Sequence, residues 1–357
     1  ITSGSGFQTE HYLNFSGGNN QNSYLFSVGY LDQNGFISET NHNHYNILFN
    51  ASSKIADNFK LNVKFQGRKG STSEPTNIRR GDGADALLDY ALKIPNTIAG
   101  KKSDGYYGQQ TGFTVEGWLD SEAFIENTSS RMNTSAGFEW DILSGLRLTG
   151  LAGFNYDNVK DRRFWPVLVV DPSYTESPSE LTETRTENSL MTLQSFLNYE
   201  KAINNHNLNF LLGFSQESNV NSWLQSSRDN FPSNTLHVIG AGAPANQLNS
   251  GSGSEWALQS VFSRINYIAD NKYLFEINAR YDGSSRFPKA NRWSLFPSVS
   301  AGWIVSEEAF FDSRIINHIK LRGSWGQLGN QNIGNYPYQQ ILSLGVNAPF
   351  GRQPEMH

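Results

Sequence analysis

Regular alternation of apolar and polar side chains over residues 273–326 most constrains what this chain can fold into. Phe275, Ile277 and Ala279 fall on one side of an extended backbone, whereas Glu276 and Asn278 fall on the other. Two further stretches of this region, residues 294–303 and 319–326, alternate in the same way. A period of two predicts β-strands that have water on one face and an apolar environment on the other.

The same alternation recurs from the beginning of the chain. It is clearest over residues 59–68, where Phe59, Leu61 and Val63 share one face and Lys60 and Asn62 share the other. Upstream of residue 273, the predicted strands are residues 10–16, 23–31, 44–53, 59–68, 132–140, 146–156, 189–199, 208–214 and 257–268. One such strand would suit a solvated sheet equally well, but about twelve or thirteen of roughly ten residues each favour tilted membrane strands.

Connections of two lengths alternate along the chain. Short turns are predicted at residues 17–22, 54–58, 141–145, 201–206 and 269–272, with a longer, helical-looking turn at 306–317. Long loops are predicted between them, at residues 32–43, 69–130, 157–188, 218–255, 282–292 and 327–336. Membrane barrels have short turns on the periplasmic side and long loops outside the cell. The sequence therefore predicts an all-β, antiparallel transmembrane β-barrel with long extracellular loops.

The composition agrees with that fold class. Aromatic residues make up 13% of the chain and charged residues only 17%, and glycine occurs 32 times. No apolar run reaches the roughly 18 residues that a membrane-spanning helix needs. The net charge of −5 and the lack of a basic run make nucleic acid an unexpected partner. Cysteine is absent, so the sequence offers neither a disulfide nor a thiolate ligand.

Four short motifs carry a resemblance to a known family. They are Tyr-Asp-Gly-Ser-Ser-Arg-Phe at 281–287, Phe-Pro-Ser-Val-Ser-Ala-Gly-Trp at 296–303, Ser-Glu-Glu at 306–308 and Lys-Leu-Arg-Gly-Ser-Trp-Gly at 320–326, with Gly-Asn at 329–330. Together they resemble the barrel of SusC/RagA-like TonB-dependent transporters of Bacteroidota. The motifs are specific from about residue 273 onward, whereas residues 70–253 share only the layout of strands and loops.

The resemblance implies a plugged outer-membrane barrel of about 22 strands. It implies import of oligosaccharides or peptides, a SusD-like surface lipoprotein as partner, and energy supplied through TonB, ExbB and ExbD. Residues 1–357 are then expected to be part of one barrel domain embedded in outer-membrane lipid, with the plug domain, the TonB box and the final barrel strands outside this chain. The alternative is a barrel that binds or scaffolds without transport, such as an adhesin or a complex subunit; a passive porin is a weaker choice.

Aromatic residues in the long loops are the candidate ligand or partner contacts, because flat rings in polar surroundings can stack on a sugar or a peptide side chain. The candidates are Tyr106, Tyr107, Trp118, Trp165, Trp223, Phe231 and Tyr336. For each of them, the alternative is that the ring holds loops together. The two longest loops, 69–130 and 218–255, are expected to face the exterior and to contact the partner lipoprotein or its cargo.

The sequence gives little indication of a catalytic site or a metal site. The oxygen-rich run at residues 79–85 lacks the distal glutamate of a calcium loop, so Asp82 or Asp85 is instead expected to cap a short helix at residues 84–93. His42 and His44 have no third ligand near them in sequence, which argues against zinc. No paired carboxylates and no nucleophile elbow occur, and Glu307 and Glu308 are neighbours that point apart on an extended chain. We expect no enzyme, no metal and no cofactor.

Overall fold

The computed structural model describes residues 6–76, 83–110, 114–313 and 315–339. Twelve strands form one antiparallel sheet in which each strand pairs with its neighbours along the chain. They are β1 (Phe7–Gly18), β2 (Asn22–Asn34), β3 (Asn41–Ala56), β4 (Phe59–Pro75), β5 (Phe124–Leu143), β6 (Leu146–Trp165), β9 (Glu180–Ile203), β10 (His206–Asp229), β11 (Leu248–Ala269), β12 (Tyr273–Ser284), β13 (Trp293–Ile304) and β14 (Lys320–Gly326). Strands β1 and β14 lie at the two edges of the sheet, and the predicted antiparallel all-β fold is confirmed.

The remaining elements lie in the connections. Helices α1 (Gly83–Lys93) and α2 (Val115–Asp120) lie between β4 and β5, and the small hairpin of β7 (Leu168–Asp171) and β8 (Tyr174–Glu176) lies between β6 and β9. Short 3-10 turns cover Ile239–Ala241, Lys289–Asn291 and Val305–Glu307. Within the described residues, no helix combines the length and the apolar character needed to cross a membrane.

Strand register sorts the side chains of the sheet onto two faces, since residues directly opposite each other in an antiparallel pair share a face. Phe65 pairs with Phe49 on one side and with Thr134 on the other, and this row continues through Phe154 and Met191. The next row of pairs contains polar residues, Lys64 with Asn50 and Ser135. We call these the outer face and the inner face, because the first is apolar and the second is polar, as a membrane barrel requires.

Rings on the outer face form rows near both ends of its apolar band. Toward the long loops, Tyr30 and Tyr45 lie with ring centroids 4.7 Å apart, and Tyr281 and Trp293 lie 5.0 Å apart. Toward the short turns, Trp303 donates from Nε1 to Glu308 at 3.0 Å. Aromatic rows of this kind mark the two membrane interfaces of outer-membrane barrels. The band between them is the part of the wall that lies in lipid.

Most turns at one end of the sheet are as short as the sequence predicts. Strands β5 and β6 are joined by two residues, and Gly145 adopts a positive φ of 81° there, a conformation that glycine takes without steric cost. The connection from β13 to β14 differs from the prediction, because its described residues contain a 3-10 turn over Val305–Glu307 and no α-helix. Glu308 fixes this turn by accepting hydrogen bonds from Tyr273, Trp303 and Lys272.

The predicted bounds of the three longest loops are wrong. Residues predicted as loop at 69–75, 124–130, 157–165, 180–188, 218–229 and 248–255 belong to β4, β5, β6, β9, β10 and β11. In β5, β6 and β9, charged pairs replace apolar contacts on the outer face of the extensions. Arg162 donates to Glu183 at 2.8 Å and to Glu126 at 2.9 Å, and Lys160 lies 3.3 Å from Glu183. These extensions carry the wall beyond the apolar band.

Candidate functional site

Two adjacent residues at the end of β6 anchor two separate clusters on opposite faces of the extended wall. Phe164 and Trp165 are 0% and 6% exposed, and consecutive strand residues point to opposite faces. Trp165 belongs to a buried cluster with Leu87, Val115, Trp118, Ala123, Leu168 and Val170. Phe164 belongs to a second buried cluster with Leu181 and Phe231.

The first cluster joins the long loop between β4 and β5 to the connection between β6 and β9 in one packed structure, which we call the inner cap: residues 83–110, 114–123 and 166–176. Its helices α1 and α2 and its hairpin β7–β8 supply the buried side chains. Since Trp165 lies on the inner face, the inner cap packs against the side of the wall that faces the lumen. The loop therefore presents a fixed surface at the mouth of the barrel.

Local hydrogen bonds set where the two cap helices begin. Thr114 accepts from the backbone N–H of Gly117 at 3.2 Å and so caps the N-terminus of α2. Helix α1 is anchored to the wall, because the backbone N–H of Ala84 donates to Glu74 of β4 at 3.2 Å. Gly83 has φ 48° and lies so close to the Glu74 carboxylate that a Cβ would meet it at 2.6 Å. The predicted helix is confirmed. Of the two predicted capping residues, Asp85 lies in the first turn of α1, whereas Asp82 and residues 79–81 lie outside the described residues.

Tyr107, Lys101 and Asp120 form a polar group on the rim of the inner cap. Tyr107 donates from its hydroxyl to Asp120 at 3.0 Å, and Lys101 donates to the same carboxylate oxygen at 2.8 Å. The hydrogen bond from Lys101 lowers the pKa of Asp120, and burial followed by the Asp120 contact raises the pKa of Tyr107. Near pH 7, the Asp120 carboxylate and the Lys101 ammonium are therefore charged, and the Tyr107 phenol is neutral. These three side chains can donate hydrogen bonds to a polar solute and accept hydrogen bonds from it.

A buried carboxylate joins the hairpin to the rest of the inner cap. Asp171 accepts from the hydroxyl and backbone N–H of Ser173 at 2.6 and 2.8 Å, and from the Gln109 side chain at 3.1 Å. These hydrogen bonds lower the pKa of Asp171 to about 2. The nearby backbone N–H of Tyr107 donates to Val170 at 2.9 Å. The carboxylate is structural in this position, since its oxygens are occupied by neighbours.

The second cluster fixes the loop between β10 and β11, which we call the outer flap: residues 230–247. The backbone N–H of Phe231 donates to the Ser179 hydroxyl at 2.9 Å, and Arg162 donates to the carbonyl of His237 at 2.8 Å. The His237 ring lies 4.2 Å from that of Phe164. Phe164 and Arg162 lie on the outer face, so this loop folds over the outside of the wall.

The structure separates the seven predicted contact residues into four places. Trp118, Trp165 and Phe231 are 3%, 6% and 8% exposed and lie inside the two clusters, where their rings hold loops together. Tyr106 and Tyr107 lie half-buried on the rim of the inner cap. Trp223 is 36% exposed on the inner face of β10, and Tyr336 contacts Tyr338 at a centroid distance of 6.2 Å beyond β14. Exposure leaves Tyr106, Tyr107, Trp223 and Tyr336 as residues that a solute can reach.

His42 and His44 lie next to each other on the inner face of β3. Nε2 of His42 is 3.1 Å from Nδ1 of His44, and Nδ1 of His42 is 2.8 Å from the Thr72 hydroxyl. Arg68 approaches Nδ1 of His44 at 3.2 Å, which places a cation where a metal ion would bind. In the part of the chain that the structure describes, no group of three His, Cys, Asp or Glu residues is arranged to hold a metal.

A cavity near the β14 edge of the sheet was not predicted from the sequence. It has a volume of about 520 Å³ and lies where β11, β12 and β13 reach the long-loop end. Its lining includes Asp282, Phe287, Arg292, Phe296 and Asn330. The sequence did contain a sign of this cavity, because three motifs that carry the family resemblance contribute to its lining. They are residues 281–287, 296–303 and 329–330. The motifs are far apart in sequence, and only the fold brings them together.

Comparisons with known proteins agree with this architecture. Residues 65–355 match the family model described as TonB dependent receptor-like, beta-barrel. The chain is 28% identical to TonB-dependent receptor P3 of Formosa agariphila over 96% of its own length and 34% of that protein's. It is 25% identical to TonB-dependent receptor SusC of Bacteroides thetaiotaomicron over 96% of its own length and 36% of that protein's. The chain thus spans about a third of the length of these relatives.

A solved structure shows the same fold at lower sequence identity. The RagAB peptide importer in its open-open state superimposes with a TM-score of 0.78 at 23% identity, over 94% of this chain and 38% of that one. The superposition shows that the two chains share a fold. It extends the similarity from sequence motifs to the whole described wall.

Proposed function

Because this chain belongs to the TonB-dependent receptor family, whose barrel model it matches over residues 65–355, we propose that it forms part of the wall and the extracellular mouth of an active importer. Receptors of this family lie in the outer membrane and are transport proteins rather than enzymes. The long-loop end of the sheet is therefore the extracellular end, and the short turns face the periplasm.

The observation that carries the proposal is the continuous inner face of the twelve strands. On β4, Asn62, Lys64 and Arg68 lie on this face in order from the short turns toward the mouth. Arg68 pairs with Arg131 of β5, which pairs with Asp157 of β6, so the polar surface also extends across the strands. A polar inner face behind an apolar outer face makes a wet conduit through lipid. The conduit of so wide a barrel needs a plug to be selective.

The proposed cargo is an oligosaccharide or a peptide, and the proposed partner is a SusD-like surface lipoprotein. Support comes from what the relatives are, SusC and the RagAB peptide importer, and from the packed inner cap at the mouth. Tyr106, Tyr107, Trp223 and Tyr336 are the reachable rings that we propose for contact with cargo or partner. Energy would come from TonB, ExbB and ExbD through parts of the protein outside this chain.

Uptake measurements in the native host test the proposal. Cells that carry the full-length gene are compared with cells lacking it, with cells lacking TonB function and with cells lacking the neighbouring lipoprotein gene, on labelled oligopeptides and oligosaccharides. We expect uptake of one class of solute to require all three components. Uptake that persists without TonB would indicate a passive porin, and a barrel that supports surface binding without uptake would indicate a scaffold.

A further inference from the structure

The cavity between β11, β12 and β13 opens on the inner face at the extracellular end. Leu258, Asp282 and Phe296 line it, and the strand register places all three on the inner face. Beyond β14, the segment 329–331 closes one side. The cavity of about 520 Å³ is large enough for one sugar ring or one to two amino-acid residues.

The motif residues fix the shape of this cavity. Arg286 donates from Nη1 to the carbonyls of Gln331 and Ile333, each at 3.1 Å, while its guanidinium lies 5.4 Å from the centre of the Trp256 ring. Gly329 lies directly against the Phe296 ring, and a Cβ at this position would stand 2.2 Å from Cζ. Packing explains why these three motif residues meet here. It does not explain Arg292.

Arg292 is a cation without a partner in the described part of the chain. Its guanidinium makes no hydrogen bond or ion pair with any described residue, and its Nε is buried. The neighbouring Asp282 is engaged by Arg280, whose Nε lies 2.9 Å from the carboxylate. Asp282 and Arg292 are the charged residues of the cavity lining, and since Arg280 already neutralises Asp282, Arg292 is the lining charge without a counter-ion among the described residues.

Other unsatisfied polar groups surround the same cavity. The side-chain oxygen of Gln331, Oδ1 of Asp282 and the Nε of Arg286 are buried and lack a hydrogen-bond partner among the described residues. Buried polar atoms are nearly always satisfied in native proteins, so a missing partner has to be supplied by water, by another segment or by a ligand. The rings of Phe287 and Phe296 supply the apolar part of the lining.

We propose that this cavity binds a carboxylate group of the imported solute, with the Arg292 guanidinium as its counter-ion. A guanidinium matches a carboxylate with two parallel N–H donors, and such charge-assisted pairs are among the strongest hydrogen bonds in proteins. The inference rests on the proposed import function and names the chemistry of its cargo. Two sources share that chemistry: the C-terminal carboxylate of a peptide and the carboxylate of a uronic acid sugar.

Equilibrium binding to the purified full-length receptor in detergent tests the site. The probes are tetra-alanine and its C-terminal amide, and trigalacturonate and its methyl ester. We expect the wild-type receptor to bind one carboxylate probe at least about tenfold more tightly than its neutral counterpart. Arg292→Gln should abolish that preference, whereas Lys289→Gln, the same charge change at an exposed position three residues away, should keep it. The pair of probes that shows the preference identifies the source of the carboxylate.

Three outcomes would overturn the site. They are a wild-type receptor with no preference for either carboxylate, a preference that survives in Arg292→Gln, and an equal loss in Lys289→Gln. Heat-modifiable gel mobility verifies that each variant folds, and Arg292→Lys, which keeps the charge but not the planar fork, should retain part of the preference. Binding in detergent needs no TonB, so failure of this site and failure of energised import are read separately.

Discussion

The wall and the inner cap of this protein bury their apolar residues in opposite ways. In the wall, Val63 and Ile277 on the outer face are 41% and 52% exposed to the protein's surroundings. In the inner cap, Leu87 and Val170 are 0% exposed. Every buried hydrophobic residue of the described chain lies at the extracellular end, between residues 84 and 231. The wall therefore depends on lipid for its apolar contacts, whereas the cap has a core like that of a water-soluble domain.

This difference assigns different tasks to the two regions. Backbone hydrogen bonds between neighbouring strands hold the wall together, and its side chains are free to suit lipid on one face and water on the other. The cap is held by side-chain packing, so its surface can be shaped without altering the strands.

The largest expected effect is on the cap. Trp118→Ala should lower the local stability of the inner cap by about 3–5 kcal/mol, because a buried indole is replaced by a cavity. Hydrogen exchange of α1 and α2 should accelerate, while heat-modifiable mobility of the barrel should stay unchanged. Trp223→Ala is the matched control, since it removes the same ring from a 36% exposed site on the wall. Loss of the folded barrel in Trp118→Ala would show that the two regions do not fold independently.

The next effect is on the wall. Val63 lies on the outer face midway between the aromatic rows, so Val63→Arg should destabilise folding into lipid by about 2–4 kcal/mol. Asn62→Arg, one residue away on the inner face, should cost little, because Asn62 already contacts Glu139 at 3.2 Å. Urea titration of folding into lipid vesicles measures both. Equal costs for the two variants would contradict the assignment of faces.

Much of the wall could be predicted from the sequence, because alternation has a direct physical cause in lipid. Beyond the lipid that cause disappears. Lys160, Arg162 and Glu183 satisfy one another on the outer face instead, so β6 and β9 continue as strands without the apolar signal that marks them. The predicted loop at 157–188 was too long for this reason.

The mouth was less predictable, because its residues meet only through tertiary packing. Trp165 and Trp118 are far apart in sequence and lie in one cluster, and nothing in their local sequence separates a buried ring from a ligand-binding one. Arg292 was overlooked since a single arginine in a loop is usually solvated. Its setting becomes visible once residues 282, 296 and 331 are known to lie around it.

A smaller effect should appear on acidification, again in the cap rather than the wall. The pKa of Asp171 is about 2 in the folded protein, below its ordinary value of 3.8, so its hydrogen bonds stabilise the cap above pH 4. That stability should be lost as the pH falls from about 4 to about 2. Hydrogen exchange of the β7–β8 hairpin, corrected for intrinsic rates, should show this loss. Asp171→Asn should remove the pH dependence, and an unchanged dependence in that variant would assign it to another group.

The central claim, that the band of the wall between the aromatic rows has a lipid face and a wet face, is tested most directly by spin labels. Residues 1–357 contain no cysteine, so single cysteines at residues 60–65 can be labelled in the full-length receptor in lipid once any cysteine outside these residues has been replaced by serine. We expect collisions with oxygen to be high at Leu61, Val63 and Phe65, and collisions with a water-soluble nickel chelate to be high at Asn62 and Lys64. Accessibility without a period of two, or with the two sets of residues exchanged, would contradict the account.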